Sequence, residues 1–272
     1  MESNVKKSIV FAFILLLISL LASLTYEYFL QEQKVHKNPT VPLQPLTRAN
    51  LFSQTGITEL GLTTLIDQFG LQSSDELIDL LKEYQIYYHT PVETSCEYIA
   101  GISCEDFVVP NQRTKLLPIV EDGDILITFS AHTGIWRNGH AALVIDAKEK
   151  QTLESTALGT DSSIQNLSKW TRYPNYAVFR LRADLRSDPL IQDIIQYATD
   201  NLLDIPYNFM VGILPSKVNS ITDVIGTQCS HLVWQAYAKY GIDLDSDGGL
   251  ICTPRDLFFS PYLELVQIYG IM

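Results

Sequence analysis

The feature of this sequence that most constrains its fold is a run of nineteen uncharged, mostly apolar residues at positions 8–26. As an α-helix this run would be about 28 Å long, close to the thickness of the hydrocarbon core of a bilayer. Lys6 and Lys7 precede it, which favours a cytoplasmic N-terminus with the rest of the chain on the other side of the membrane. We therefore predict a transmembrane helix, acting as a membrane anchor, within residues 1–30.

A cleaved signal peptide is the alternative, because it shares the charged start and the apolar middle. The run is long for a signal peptide, and no good small-x-small cleavage site follows it. Leu21, Ala22 and Ser23 put a large residue at the first of the two small positions. Either interpretation places the rest of the chain outside the cytoplasm, anchored in the cell membrane in the first case and secreted in the second.

The charge balance argues against a nucleic-acid partner. The chain has 272 residues and a formal net charge of −12, and its Lys and Arg residues are scattered singly or in pairs. Recognition of nucleic acids requires clustered basic side chains. The length allows one full domain with a smaller attachment.

Composition separates two regions between the anchor and the rest of the chain. Residues 31–50 are polar and contain three prolines, which is typical of an extended tether. Residues 51–116 contain a helical pattern at 57–69 and a second one that begins at Ser73, where Glu76 completes a capping box. These patterns predict a small helical subdomain.

Residues 117–272 combine strand patterns with helical patterns. Short β-branched and aromatic runs separated by turn residues predict an antiparallel sheet, and they occupy 124–129, 141–145, 152–156 and 176–181. Helical patterns occupy 189–202 and 229–240, and Gly241 supplies a C-cap to the second. We predict an α+β fold in which an antiparallel β-sheet packs against the helix that begins at Cys229.

Cys229 is the candidate nucleophile because it opens this helical pattern. A thiol reacts as the thiolate, so its ordinary pKa of about 8.5 must fall. The free N–H groups and the positive dipole at a helix N-terminus stabilise a thiolate, and the same N–H groups could stabilise an oxyanion. A buried, inert cysteine is the alternative interpretation of the same pattern.

His140 and Glu154 are the candidate base and orienting residue. His140 begins the strand pattern AALVI, so its ring would lie at the edge of the sheet. Glu154 is a carboxylate among apolar neighbours on the strand expected to be adjacent, where it could orient the ring and stabilise the imidazolium. The alternatives are a loop histidine without a role and an exposed glutamate in an alternating strand.

Two other histidines compete with His140. His132 lies in the segment SAHTGIW, where a substrate contact and a purely structural role both fit. His231 is two residues after Cys229, and positions i and i+2 of a helix do not face each other. This spacing argues against His231 as the base.

The order of the motifs GDILI, GHAALV, LEST, PYN, QCSHLVWQAY and CTPRDL resembles that of the permuted papain-like amidases. These are circularly permuted relatives of the NlpC-type cell-wall cysteine peptidases, in particular the YiiX/YycO-like group, and the resemblance covers about residues 120–265. It implies that Cys229 is the nucleophile, His140 the base and Glu154 the third polar residue. It also aligns Tyr207 with a tyrosine that lines the substrate cleft or packs beside it. The chain departs from the family at His231, where an acidic residue is common.

The resemblance implies a circularly permuted papain-like catalytic domain in residues 117–272. The protein would then be an extracytoplasmic, membrane-tethered cysteine amidohydrolase or peptidase that acts without a cofactor, through a thioester, on a cell-wall peptide or another amide. Two alternatives stay open. One is a lipid acyltransferase or thioesterase of the lecithin-retinol acyltransferase type, which shares the permuted arrangement; the other is a non-catalytic wall-binding module.

Two further groups of residues have structural interpretations. Cys96 and Cys104 are eight positions apart and either close a small loop as a disulfide in an oxidising compartment or remain two unpaired thiols. The segment GIDLDSDGG matches the first half of a calcium loop, but Pro254 stands where that loop needs a bidentate glutamate. We therefore favour a polar turn there and predict no metal site.

Overall fold

The chain is described by a computed structural model over residues 13–15, 17–18, 41–71, 73–100, 103–111, 116–133, 136–213 and 216–270. The predicted membrane helix at 8–26 lies outside the described residues, apart from the helical positions 13–15 and 17–18. Within the described parts of the chain, no helix is both long and apolar enough to cross a bilayer. The membrane anchor stays a prediction.

The described residues form two sheets in which all neighbouring strands are antiparallel. The strands, in chain order, are β1 Thr94–Ala100, β2 Ser103–Val108, β3 Ile125–Thr128, β4 Ala131–Thr133, β5 His140–Asp146, β6 Gln151–Glu154, β7 Ser163–Asn166, β8 Tyr176–Leu181 and β9 Leu263–Tyr269. The larger sheet has the order β7-β6-β5-β3-β8-β9, and the smaller has the order β1-β2-β4. The predicted α+β class with an antiparallel sheet is confirmed.

Local sequence signals set the ends of several helices. The α-helices, in chain order, are α1 Leu51–Thr55, α2 Glu59–Phe69, α3 Ser74–His89, α4 Asp188–Asn201, α5 Cys229–Ala238 and α6 Pro254–Phe258. Ser73 and Glu76 form the predicted capping box at the start of α3. Gly241, with φ of 80°, adopts the left-handed conformation shortly after α5, where the chain turns away from the helix.

Alternate residues of the central strands face opposite sides of the larger sheet. Ile125, Ile127 and Leu143 pack in one hydrophobic cluster with side chains of α4, α5 and α6. Leu126 and Val144 pack in a second cluster with side chains of α2 and α3. The larger sheet is therefore covered by helices on both faces, and both of its faces are buried.

The region 51–116 is not purely helical, and here the sequence prediction is wrong. After α3 the chain forms β1 and β2, and a disulfide between Cys96 and Cys104 joins these two strands, with 5.9 Å between the Cα atoms. The two segments, TSCEYIA and SCEDFV, are rich in Ser, Cys and acidic residues. They lack the alternating apolar pattern from which a strand is predicted.

The first helices are joined by hydrogen bonds to the last strand of the larger sheet. The backbone N–H of Ile268 donates to Gly56 O at 2.8 Å, and Thr58 Oγ1 donates to Val266 O at 2.8 Å. Neither contact connects residues that are close in sequence, so no local pattern predicts it. Helices α1, α2 and α3 therefore belong to a layer of the main fold.

The second half of the predicted tether is also attached to this layer. Gln54 Nε2 donates to Pro42 O at 3.0 Å, and Gln85 Nε2 donates to Gln44 O at 2.6 Å. The predicted tether therefore does not include residues 41–50, and its remaining part, residues 31–40, lies outside the described residues and stays a prediction.

A buried arginine joins the helical layer to the centre of the sheet. Arg180 in β8 donates to both carboxylate oxygens of Asp124, at 2.8 and 2.7 Å, and to Thr64 Oγ1 in α2 at 2.8 Å. It also pairs with Glu121 at 2.6 Å. Burial raises the pKa of Asp124, and the bidentate bond from Arg180 opposes this rise. The buried charges are tolerated because each has a partner.

Candidate active site

Cys229 is the first residue of α5, as the sequence predicts. Gln228 at the N-cap has an extended backbone and makes no side-chain cap hydrogen bond. The first N–H groups of α5 are therefore not capped by this side chain. Against the effect of burial, the backbone N–H groups of Ala141 and Ser230 lower the pKa of the Cys229 thiol. The residue is 5% exposed, so its sulfur lies in a largely dry site.

His140 is the first residue of β5, where this strand packs against the start of α5. Gly139 precedes it with φ of 73°, and a Cβ atom there would lie 2.8 Å from Thr128 O. The close approach and the left-handed backbone both require glycine at this turn into β5. One nitrogen of the His140 ring, Nε2, lies 2.8 Å from Glu154 Oε2. Burial lowers the pKa of His140, whereas hydrogen bonding to Cys229 raises it, which puts the ring beside the sulfur.

Glu154 is buried at the end of β6, and three donors besides His140 surround its carboxylate. Thr152 Oγ1 donates to Oε1 at 2.8 Å, and Trp170 Nε1 donates to the same oxygen at 2.9 Å. Lys169 Nζ lies 3.4 Å from Oε2. The Trp170 ring also stacks on His140, with 5.8 Å between centroids and 19° between planes. These contacts hold the carboxylate and the imidazole in one orientation.

The ionised forms of Glu154, His140 and Cys229 stabilise one another although all three residues are buried. Burial raises the pKa of Glu154, but the Lys169 ammonium and His140 outweigh it and hold that pKa well below its usual range. Burial lowers the pKa of His140, but bonds from Cys229 and Glu154 raise it to about 10. Burial also raises the pKa of Cys229, and His140 with the two backbone N–H groups lowers it below the ordinary value. All three shifts act toward a thiolate–imidazolium pair beside a carboxylate.

Cys229 and His140 both line a cleft of about 550 Å³. One wall comes from β2 and β4 of the smaller sheet, and a second comes from loops after β6 and after α4. The lining side chains on these walls include Glu105, His132, Ala157, Leu158 and Phe209. Cys104, one half of the disulfide, also lines the cleft. A substrate in this cleft would contact the sulfur of Cys229.

Tyr207 lines the same cleft. Its backbone N–H donates to Thr160 O at 3.0 Å, and its backbone pairs with Thr227 two residues before Cys229. Burial raises the pKa of the Tyr207 hydroxyl, and the negative charge of Cys229 raises it further. The hydroxyl is therefore a neutral donor close to the sulfur.

The two competing histidines lie in different environments. His132 Nε2 is 3.3 Å from Asp106 Oδ1 and lies in the cleft wall. His231 is fully buried on α5, and its Nε2 is 2.8 Å from Ser220 Oγ. Burial and the nearby Lys217 lower the pKa of His231 to about 3, so the ring is neutral. His231 connects α5 to the segment before it.

The sequence patterns did not predict the residues that hold Glu154 or the cleft wall formed by the smaller sheet. Thr152 had a findable signal, because residues i and i+2 of a strand share a face. Trp170 and Lys169 lie in a 3₁₀ turn, Leu167–Arg172, that carries no pattern pointing to Glu154. Lys169 Nζ also lies 3.6 Å from Glu105 of β2, which links the two sheets beside the cleft.

The acidic segment after α5 forms a turn. Carboxylate oxygens of Asp245, Asp247 and Asp256 lie within 4.8 Å of one another. Asp245 pairs with Lys217, Asp247 accepts from the N–H of Gly249, and Asp256 caps α6. Each of these carboxylates already stabilises a cation or a backbone group of the chain.

No protein-family model, curated protein or solved structure matches this chain.

Proposed function

We propose that this protein is a cysteine hydrolase that cleaves an acyl bond through a thioester. The observation that carries the proposal is the buried row of Cys229, His140 and Glu154, in which His140 contacts both partners and the sulfur lines a cleft. A nucleophile, a base and a group that orients the base, in that order, are the minimum for this chemistry.

In the proposed reaction, the Cys229 thiolate attacks the carbonyl carbon of the substrate. Backbone N–H groups at the start of α5 are suited to stabilise the oxyanion that forms. The His140 imidazolium gives its proton to the leaving group as the bond to the carbonyl carbon breaks, and a thioester remains. His140 then takes a proton from water, the resulting hydroxide attacks the thioester, and the acid and the thiolate are released. Glu154 orients His140 and stabilises the imidazolium.

The strand carrying His140 precedes the helix carrying Cys229, which supports a circularly permuted papain-like fold as the finer assignment. With the predicted anchor in residues 1–30, the cleft would lie outside the cytoplasm. A cell-wall peptide, or another amide, is the substrate class that fits this location, and Tyr207 is proposed to contact it.

One observation favours the second candidate, a lipid acyltransferase or thioesterase. Several side chains in the cleft walls are apolar, among them Ala131, Ala157, Leu158 and Phe209. Such a surface suits an acyl chain, because burial of apolar area is favourable at about 25 cal/mol per Å². Incubation with muropeptides and, separately, with phospholipid vesicles would distinguish the two candidates, because the trapped thioester on Cys229 has a different mass in each case.

Both enzymatic candidates require an activated thiolate at Cys229. The test of this requirement is the pH dependence of Cys229 alkylation by iodoacetamide, read by peptide mass spectrometry. We expect rapid labelling well below pH 8, about tenfold faster at pH 7 than an ordinary thiol with its pKa near 8.5. In His140→Ala, the thiolate loses its cation and labelling should move to higher pH. His132→Ala, which alters another histidine of the same cleft, is the matched control and should leave the profile unchanged.

Cys252 provides an internal reference in the same digest, because it is a buried free thiol whose pKa is raised by burial. Labelling of Cys229 at the rate of an ordinary thiol, or an equal shift in both histidine variants, would contradict the proposal. A non-catalytic binding module would then be the better interpretation.

A further inference from the structure

Five large apolar side chains near the cleft mouth are exposed to solvent. Their exposed fractions range from 43% to 70%. They are Leu158, Phe209, Ile213, Ile225 and Leu250, and we call them the apolar rim. Single exposed apolar residues are ordinary, but a group of them beside one cleft is typical of an interaction surface.

Backbone contacts bring the segments of the apolar rim together. Leu158 and Phe209 both line the cleft. A Cβ atom at Gly212 would lie 2.1 Å from Leu250 O, and one at Gly226 would lie 2.7 Å from the Cβ of Asn208. Gly212, next to Ile213, therefore contacts the segment of Leu250. Gly226, next to Ile225, contacts the segment of Phe209. The segments that carry the apolar rim therefore adjoin one another, and two of its residues line the cleft.

The segment that contributes Phe209 and Ile213 is also nearly free of charge. Between positions 205 and 222 the sequence contains a single charged residue, Lys217. Its side chain is 10% exposed and pairs with Asp245. In a chain with a net charge of −12, this stretch therefore presents apolar and neutral groups to the solvent.

We propose that the apolar rim is a membrane-contact surface that rests on the lipid bilayer and directs the cleft toward it. The length of chain outside the fold supports this occupant. The apolar run ends at position 26, and the fold begins near position 41. The intervening chain spans at most about 50 Å when extended, so it keeps the fold near the membrane without selecting a face. The apolar rim selects the face.

Charge defines the kind of bilayer surface that fits. An acidic protein is repelled by anionic headgroups, whereas apolar side chains gain free energy in the interfacial region of any bilayer. We therefore expect contact with zwitterionic lipid. This proposal rests on the anchor that the proposed function also uses, but it does not depend on the thiol chemistry, so a negative result here leaves the alkylation test of Cys229 unaffected.

The test uses the full chain bound to phosphatidylcholine vesicles with and without bromine on the acyl chains, because bromine quenches nearby tryptophan. Trp136→Phe removes the exposed native tryptophan and leaves Trp170 and Trp234, which are buried. In this background, we compare the tryptophan fluorescence that Phe209→Trp adds in the two kinds of vesicle. It should be about half as strong with brominated lipid as with unbrominated lipid, as expected for a side chain at the boundary between headgroups and acyl chains.

Phe52→Trp is the matched control in the same background. Phe52 is 48% exposed in α1, which adjoins β9 at the far edge of the larger sheet. Its added emission should change little. The proposal is overturned if the chain does not associate with the vesicles, if Phe209→Trp is not quenched, or if Phe52→Trp is quenched equally. A dimer in detergent that Phe209→Asp dissociates would also overturn it, because the rim would then join two copies of the chain.

Discussion

At the scale of single residues, the candidate site depends on a carboxylate that stays ionised although it is buried. Burial without partners would favour the neutral form of Glu154. Its carboxylate instead has four donors, from Thr152, Trp170, Lys169 and His140. The ionised carboxylate in turn favours the imidazolium, and the imidazolium favours the thiolate. The pKa of Cys229 therefore depends in part on residues that do not touch the sulfur.

Glu154→Gln tests this coupling. The amide keeps the shape but removes the charge, so the pKa of His140 should fall from about 10 and the pKa of Cys229 should rise. We expect alkylation of Cys229 at pH 7 to slow by about tenfold, which corresponds to one pKa unit. Glu149→Gln removes an exposed carboxylate from the turn after β5 and is the control. Equal rates in the two variants would mean that the carboxylate does not act on the thiol.

The same pair predicts the pH limits of any hydrolytic activity. The Cys229 thiolate, whose pKa is lowered, should be lost at a lower pH than the thiolate of an ordinary cysteine. The His140 imidazolium, whose pKa is raised, should be lost as the pH rises through about 10. We expect a bell-shaped profile of kcat/KM against pH, whose alkaline limit moves to lower pH in Glu154→Gln. An alkaline limit unchanged by that substitution would contradict the assignment.

At the scale of secondary-structure elements, a glycine allows α1 to meet β9. Gly56 has φ of 71°, and a Cβ atom there would lie 1.8 Å from Ile268 O, the carbonyl of a strand residue in the larger sheet. Gly70 follows α2 with φ of 59°, and a Cβ atom added to Gly70 would have no neighbouring atom within 4 Å. The two glycines share a conformation but differ in their surroundings.

This difference predicts unequal effects on the free energy of unfolding. Gly70→Ala should cost only the left-handed backbone penalty, about 1–2 kcal/mol. Gly56→Ala should cost that penalty plus about 1–3 kcal/mol for displacing α1 from β9. Urea denaturation of both variants measures the two losses. Similar losses would show that the contact between α1 and β9 contributes little.

At the scale of the whole molecule, the helices before β1 cover one face of the larger sheet. Ile57 and Leu65 pack in the same cluster as Leu126, Val144 and Val178 of the central strands. Division of the chain at position 117 would therefore cut through a hydrophobic core, because it separates a layer from the sheet that it buries.

A chain truncated to residues 117–272 should accordingly fail to form a native fold. The exposed face of the sheet should bind the dye ANS, and the near-ultraviolet circular dichroism of the native state should be lost. The control is a chain that begins at residue 41 and keeps the α1–α3 layer, which should remain native. A native spectrum from residues 117–272 would mean that the helical layer is an independent subdomain.

The sequence by itself determined the elements that local patterns encode. The Ser73 capping box, the strand patterns at 124–129 and 176–181, and the placement of Cys229 at a helix start depend on neighbouring residues only, and the structure has them. It also indicated that His140 and Glu154 lie on adjacent strands, because two short strand patterns separated by a turn pair with each other.

Only the tertiary structure decided what surrounds these residues. The donors from Trp170 and Lys169 to Glu154, the cleft wall from the smaller sheet and the attachment of α1 to β9 join segments far apart in the chain or without a local pattern. Such contacts form because each buried polar group needs a partner and each apolar face needs a cover. The sequence records these needs, but the choice of partner depends on how the whole chain packs.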